Sequence, residues 1–248
     1  MIPLEDGTTL SQLFHLNSEP WANTEAYQQA FDYEVEYKEM AGLSEPLALP
    51  AAIESPLLKL LCARESCRAY QLRTMSQETL STILKCAYGV ARTAQMPGVG
   101  SGYFRTTPSA GGLFPLEIYA LVRDVAGVTD GIHHYNVRRH SLELIRAGRW
   151  FEEFDKVLIS APFIANANLI FFLSAVFNRS QKKYGPRGYR YILLEAGHVA
   201  QNICLVAVEQ GLNSLCMGGY TDSKLNRFLG FDAAKEAVVY SVAVGYAA

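Results

Sequence analysis

Apolar positions three and four apart run through "SQETLSTILKCAYGV", where Leu80, Ile83, Leu84 and Ala87 share one face. That spacing predicts a helix opened by Ser76 with Glu78 and ended near Gly89. "PLLKLLCARESCRAY" reads as a helix that turns polar, and "LEIYALVRDV", "GIHHYNV" and "SLELIRAG" read as strands, the last two joined by a short polar turn. "APFIANANLIFFLSAVF" supplies a strand apolar on both faces, which predicts a central place in a sheet. A long apolar helix is expected over 188–210, stopped by Gly211. "LNSLCMGGY" then gives a short strand and loop, Asp222 is expected to cap "SKLNRFLG", and "AVVYSVAVGYA" is a final strand. The stretch "ARTAQMPGVGSGYFRTTPSAGG" reads as a loop. Residues 1–50 hold the helix-like "TEAYQQAFDYEVEYKEM" and the proline-marked connection "SEPLALPAAIESP". The pattern predicts mixed α and β around one sheet, preceded by an extension over residues 1–55 whose role cannot be read.

Composition narrows the function classes. Half of the 248 residues are hydrophobic, enough for a sizeable core, and the net charge of -2 gives no general attraction to nucleic acid or an anionic membrane. Any basic site must be local. Cys62, Cys67, Cys86, Cys204 and Cys216 form no CxxC pair, and no metal site is expected; they read as buried small apolar residues in a reducing compartment. "MIPLEDGTTL" shows no signal peptide, so a cytoplasmic location is expected. The apolar run over 191–210 is interrupted by Glu195, His198, Gln201 and Asn202, which marks a buried helix and not a membrane span.

Four stretches could carry chemistry. In "ARESCRAY", Arg64, Ser66 and Arg68 could grip a phosphate with charge-assisted bonds, or could form a solvated polar surface. In "PSAGG", Gly111 and Gly112 leave bare backbone against which a ligand plane could press, or make a plain turn. "SQKKYGPRGYRY" sets a lysine beside a tyrosine, a pair that a partly desolvated pocket could tune for acid or base work, or that could belong to a wet basic surface. "LCMGGY" puts Gly218 and Gly219 after a short apolar strand. His198 and Asn202, one turn apart, read as a buried hydrogen-bonded pair. His133 and His134 are adjacent in a strand and must face opposite ways. No nucleophile elbow, dinucleotide fingerprint or phosphate loop is present.

In order and spacing, "ARESCRAY", "RTTPSAGGLFPLEIYALV", "GIHHYNVRRHSLELIRAG", "KKYGPRGYRYILLEAGHVAQN" and "LCMGGYTDSKLNRFLGF" resemble the FMN-dependent nitroreductase superfamily, and within it the SagB-type branch of peptide azoline dehydrogenases. The resemblance covers about three quarters of the chain. It implies an α+β fold with a mostly antiparallel sheet flanked by helices, and an FMN-binding domain over 56–248 that works as a homodimer. It implies that Arg64, Glu65, Ser66 and Arg68 lie along the ribityl phosphate, with Pro108, Ser109, Ala110 and Gly112 against the flavin ring from the partner subunit. Gly218 and Gly219 would lie near the N5 edge, without the glutamate that related reductases place before the glycine. The final "VGYAA" lacks the basic residues that many relatives direct at the phosphate, so Arg64 and Arg68, or a further basic residue elsewhere in the chain, would carry that contact.

Lys183 and Tyr184 match that branch's lysine and tyrosine and are assigned proton transfer. The implied activity is oxidation of azoline rings in a peptide or carrier-bound intermediate to azoles, with dioxygen as acceptor and with a cyclodehydratase as a possible partner. The alternatives are an NAD(P)H-dependent nitro or quinone reductase and an inactive binding subunit of a peptide-modification complex.

Overall fold

The computed structural model describes residues 9–19, 37–38, 47–96 and 100–248. The helix-like stretch over 24–40 lies outside them apart from Tyr37 and Lys38. In chain order the elements are α1 (Leu10–Asn17), α2 (Pro56–Ala63), β1 (Tyr70–Gln71), α3 (Gln77–Tyr88), β2 (Val90–Met96), β3 (Gly100–Arg105), β4 (Leu116–Val122), β5 (Gly131–Asn136) and β6 (Ser141–Ala147). There follow α4 (Ala161–Ile164), β7 (Leu169–Val176), α5 (Phe177–Tyr184), α6 (Arg187–Glu209), β8 (Asn213–Met217), α7 (Asp222–Leu229) and β9 (Glu236–Ala247).

One seven-stranded sheet runs β1-β9-β7-β4-β5-β6, with β8 also paired to β9, and every strand pairing in it is antiparallel. As its pattern predicts, β7 is central: seven of its eight residues are buried. The period of two divides the strands between two cores. Leu116, Ile118, Ala120 and Val122 of β4, with Leu169, Phe171 and Leu173 of β7, pack beneath α3 and α6. Leu121, Ile170 and Phe172 face the other way, onto Phe154, Leu158, Ile164 of α4 and Leu225 of α7. The result is an α+β fold with helices on both faces of an antiparallel sheet. Each fully buried phenylalanine or leucine contributes about 1.5–3 kcal/mol, so the two faces carry most of the stability.

The helix limits follow the expected signals closely. Ser76 caps α3 by accepting from the Thr79 amide at 3.1 Å, and Gly89 ends it. Gly211 adopts φ +69 just past α6. By length and apolarity α6 is the one described helix that could cross a membrane, but half of its most apolar window is buried inside the protein.

Four expectations need correction. The loop expected after Gly89 contains an antiparallel hairpin, β2 with β3, outside the main sheet. The cap of α7 is Thr221, and Asp222 is its first residue. Among the cysteines only Cys204 is buried, while Cys62 and Cys86 are exposed. His198 is exposed, and Asn202 bonds instead to Thr107 and Ala87.

The beginning of the extension docks on the folded body. His15 of α1 hydrogen-bonds Tyr189 at 3.1 Å, and Gln181 donates to Ser11 at 2.9 Å.

Candidate functional site

The stem of "PSAGG" is fixed first. Thr107 is buried, donates to the Ala87 carbonyl at 2.8 Å and accepts from Asn202 at 2.9 Å, which ties the loop to the end of α3 and the middle of α6. The Phe114 amide donates to the Ser109 hydroxyl at 2.9 Å and closes the loop on itself. Inside it Gly111, Gly112 and Phe114 have φ of 64°, 65° and 45°. Glycine adopts that region freely, whereas Phe114 is strained there and needs its surroundings to hold it.

Gly111 shows what bare backbone is for. A Cβ placed on it would lie 2.5 Å from the Tyr184 hydroxyl and 2.9 Å from Lys183 Nζ. The lysine and tyrosine of α5 thus press directly on the loop backbone. Tyr184 is steadied by an edge-on contact with Tyr191, with ring centroids 5.0 Å apart. Gly112 differs: a Cβ there would meet nothing within 4 Å. That open backbone is where a planar ligand could lie.

Beneath the loop is a buried polar group that the sequence does not reveal. Tyr88 of α3 donates to the Glu195 carboxylate of α6 at 2.5 Å. Burial pushes the Glu195 carboxyl up, against the opposing pull of Ser109, Tyr88 and Arg105. Arg105 lies between two rings, 4.1 Å from the centre of Tyr88 and 4.7 Å from that of Phe114. Its Nη1 is buried with no hydrogen-bond partner among the described residues.

The other predicted residues form a second group around β8. Arg64 ends α2, half-buried, while Glu65, Ser66 and Arg68 are exposed. Ser66 bridges to Ser214, and the Cys67 amide donates to the Ser214 carbonyl at 2.9 Å, so this segment runs along the first residues of β8. Gly218 and Gly219 leave the opposite end of that strand; a Cβ on Gly219 would lie 3.1 Å from Ile159. Behind the segment, Cys204 and Cys216 sit with sulfurs 3.5 Å apart. The Cys216 thiol, aided by Ser214 and Arg64, holds the Cys204 thiol down to about 7.

The structure therefore brings Pro108, Ser109, Ala110 and Gly112 together with Lys183 and Tyr184, and sets Arg64, Glu65, Ser66 and Arg68 by the start of β8 with Gly218 and Gly219 past its other end. Among the described residues no hydrogen bond or ion pair joins the two groups. The residues fit a flavin nucleotide in kind: open glycine backbone for a ring plane in one group, and in the other guanidinium groups that make no ion pair among the described residues, for a phosphate.

Residues 61–246 match the model of the nitroreductase family. The chain belongs to that family. The nitroreductase-family protein MJ1384 of Methanocaldococcus jannaschii is 37% identical over 188 residues, covering 76% of this chain and 91% of its own length. The microcin B17-processing protein McbC of Escherichia coli is 31% identical over 138 residues, which are 52% of this chain and 49% of McbC. The fold is shared with a chain of the E. coli microcin synthetase McbBCD complex bound to truncated pro-MccB17, with TM-score 0.63, 22% identity and coverage of 96% of this chain and 87% of that one. It is shared too with a nitroreductase-family protein from Desulfovibrio desulfuricans in complex with FMN, with TM-score 0.56, 16% identity and coverage of 79% and 88%. FMN is the cofactor of this family, and the chain is a nitroreductase-family oxidoreductase.

Proposed function

We propose that this protein is a SagB-type FMN-dependent dehydrogenase that oxidises azoline rings of a modified peptide to azoles. The observation that carries the reading is the meeting of Lys183 and Tyr184 with the backbone of Gly111. Bound FMN supplies the two-electron acceptor, and dioxygen is the final oxidant, reduced to hydrogen peroxide. The protein's own residues do the rest. Removing two hydrogens from an azoline ring needs a group to take the carbon-bound proton, and Tyr184 Oη or Lys183 Nζ stands where the loop presents its substrate. Arg64, Ser66 and Arg68 hold the phosphate, Glu65 lies beside them, and Pro108, Ser109, Ala110 and Gly112 offer backbone to the ring, with Gly218 and Gly219 at its other edge.

Because no hydrogen bond or ion pair joins the two groups among the described residues of one chain, we assign the complete site to a homodimer in which each copy supplies one group. The peptide-processing relatives support a peptide substrate and a cyclodehydratase partner that forms the azoline.

Tyr184→Phe and Lys183→Met test the assignment. Each keeps most of the side-chain packing and removes the proton-carrying group. Both variants should retain yellow, FMN-loaded protein while turnover falls by ~10²- to 10⁴-fold, followed as loss of two hydrogens from an azoline peptide by mass spectrometry. Normal turnover in both would remove the catalytic assignment, and loss of flavin in both would make them structural. A second reading, an NAD(P)H-dependent nitro or quinone reductase, draws on the identity to MJ1384. It requires NAD(P)H consumption with a nitroarene or quinone and none of the azoline chemistry.

A further inference from the structure

A cleft of about 410 Å³ opens beside Gly112, between the β2–β3 hairpin, the "PSAGG" loop and the β5–β6 turn. Three arginines line it, Arg105, Arg138 and Arg179, with one carboxylate, Glu117. Glu117 is already engaged: Arg179 bonds it from one side and His134 from the other at 3.0 Å. Arg105 and Arg138 make no ion pair among the described residues. The cleft therefore carries two guanidinium groups in excess of its carboxylate.

These cations are held in place. Arg105 is wedged in the corner where the Tyr88 and Phe114 rings meet edge to face, and its buried Nη1 has no acceptor among the described residues. Phe114 keeps its strained backbone because Ser109 takes its amide hydrogen and Arg179 donates to its carbonyl at 3.3 Å. A strained backbone held by two neighbours beside an arginine with an unsatisfied nitrogen is the pattern of a binding site more than of a random loop. Arg138 reaches in from the turn, its guanidinium 5.4 Å from the centre of the Tyr103 ring.

We propose that this cleft is a substrate subsite for a carboxylate, bonded by the cleft-lining guanidinium groups of Arg105 and Arg138. Gly112 lines the cleft and the next residue back, Gly111, touches Lys183 and Tyr184. Adjacent residues are about 3.8 Å apart, so an anion seated here leaves the neighbouring part of the same substrate at the proton-transfer pair. The inference rests on the azoline reading for its substrate class: a peptide with an acidic side chain, or its own terminal carboxylate, close to the ring.

The test uses the FMN-loaded full-length protein and three azoline peptides: Asp beside the ring with an amidated end, Asn with an amidated end, and Asn with a free carboxylate end. Calorimetry measures affinity, and mass spectrometry follows ring oxidation separately. The Asp peptide, or the free-ended Asn peptide if the terminus is the anchor, should bind roughly 10- to 100-fold tighter than the neutral one. Arg138→Ala, a change at an exposed side chain, and Arg105→Lys, which keeps the charge but loses the planar fork, should each shrink that ratio toward one. Equal affinities, no measurable binding of any peptide, or a preference that both variants leave intact would overturn the subsite. A preference for the acidic peptide without ring oxidation would sustain the subsite and remove the azoline reading; oxidation with equal affinities would do the reverse.

Discussion

Gly111 and Gly112 share the left-handed backbone region but differ in what surrounds them, which makes them a matched pair for mutation. Alanine at either should cost about 1–2 kcal/mol from the conformation alone. Only Gly111→Ala also drives a methyl group into Tyr184 and Lys183. Urea denaturation should therefore show Gly111→Ala to be the more destabilising, and its turnover should fall with that of Tyr184→Phe. Equal stability losses would mean that the lysine and tyrosine simply move aside. At this scale the bareness of the loop was legible in the sequence, but its cause was only half so. The two glycines imply a close approach, yet nothing in "PSAGG" says that the first serves two side chains some seventy residues away and only the second is open. Arg105, Tyr88 and Glu195 were missed for the same reason. Tyr88 and Glu195 are 107 residues apart, and no local pattern distinguishes a tyrosine on a helix's apolar face from one that donates to a buried carboxylate. The one available signal for Arg105 was its position two threonines ahead of Pro108 and the glycine loop.

The Tyr88–Glu195 bond is one of two polar contacts among the described residues that tie α3 to α6, the other being Asn202 to the Ala87 carbonyl, on a mostly apolar face. Burial holds the Glu195 carboxyl above its ordinary value of 4.5, so the fold favours the protonated form. Its stabilising contribution is complete below pH 4.5 and is lost as the pH rises through the raised value. Glu195→Gln keeps an acceptor for the Tyr88 hydroxyl and carries no charge. Melting temperatures of variant and native protein should lie close together in acid and separate in the variant's favour as the pH rises. A constant difference across the range would show that Glu195 does not titrate with folding. Among the elements, those with one face in a core were read nearly to the residue, because burial imposes a period: 3.6 for α3, two for β4 and β7. The β2–β3 hairpin was not. Most of β2 and β3 is exposed, it joins neither core, and its pairing is made by backbone hydrogen bonds that leave no apolar alternation to read.

The whole molecule leaves apolar surface on its longest helix. Leu193 and Leu194 of α6 are 39% and 56% exposed, and a Cβ on Gly197, one turn on, would meet nothing within 4 Å. A second copy packed on this face would cover the leucines and could approach closely at the glycine. Light scattering at micromolar concentration should give a dimer, and Leu194→Glu should shift it toward monomer with weaker FMN retention; a native monomer that still holds FMN would remove the shared site. The order of the strands has one more consequence. β9 is the last strand in the chain, yet it lies between β7 and β8 and also pairs with β1. During synthesis the ribosome must therefore deliver the residues of β9 before β7 can gain its second neighbour in the sheet and β8 its first. Until then both strands expose unpaired edges, and the growing chain depends on collapse around α3 and α6, or on chaperones, to keep those edges from finding the wrong partner.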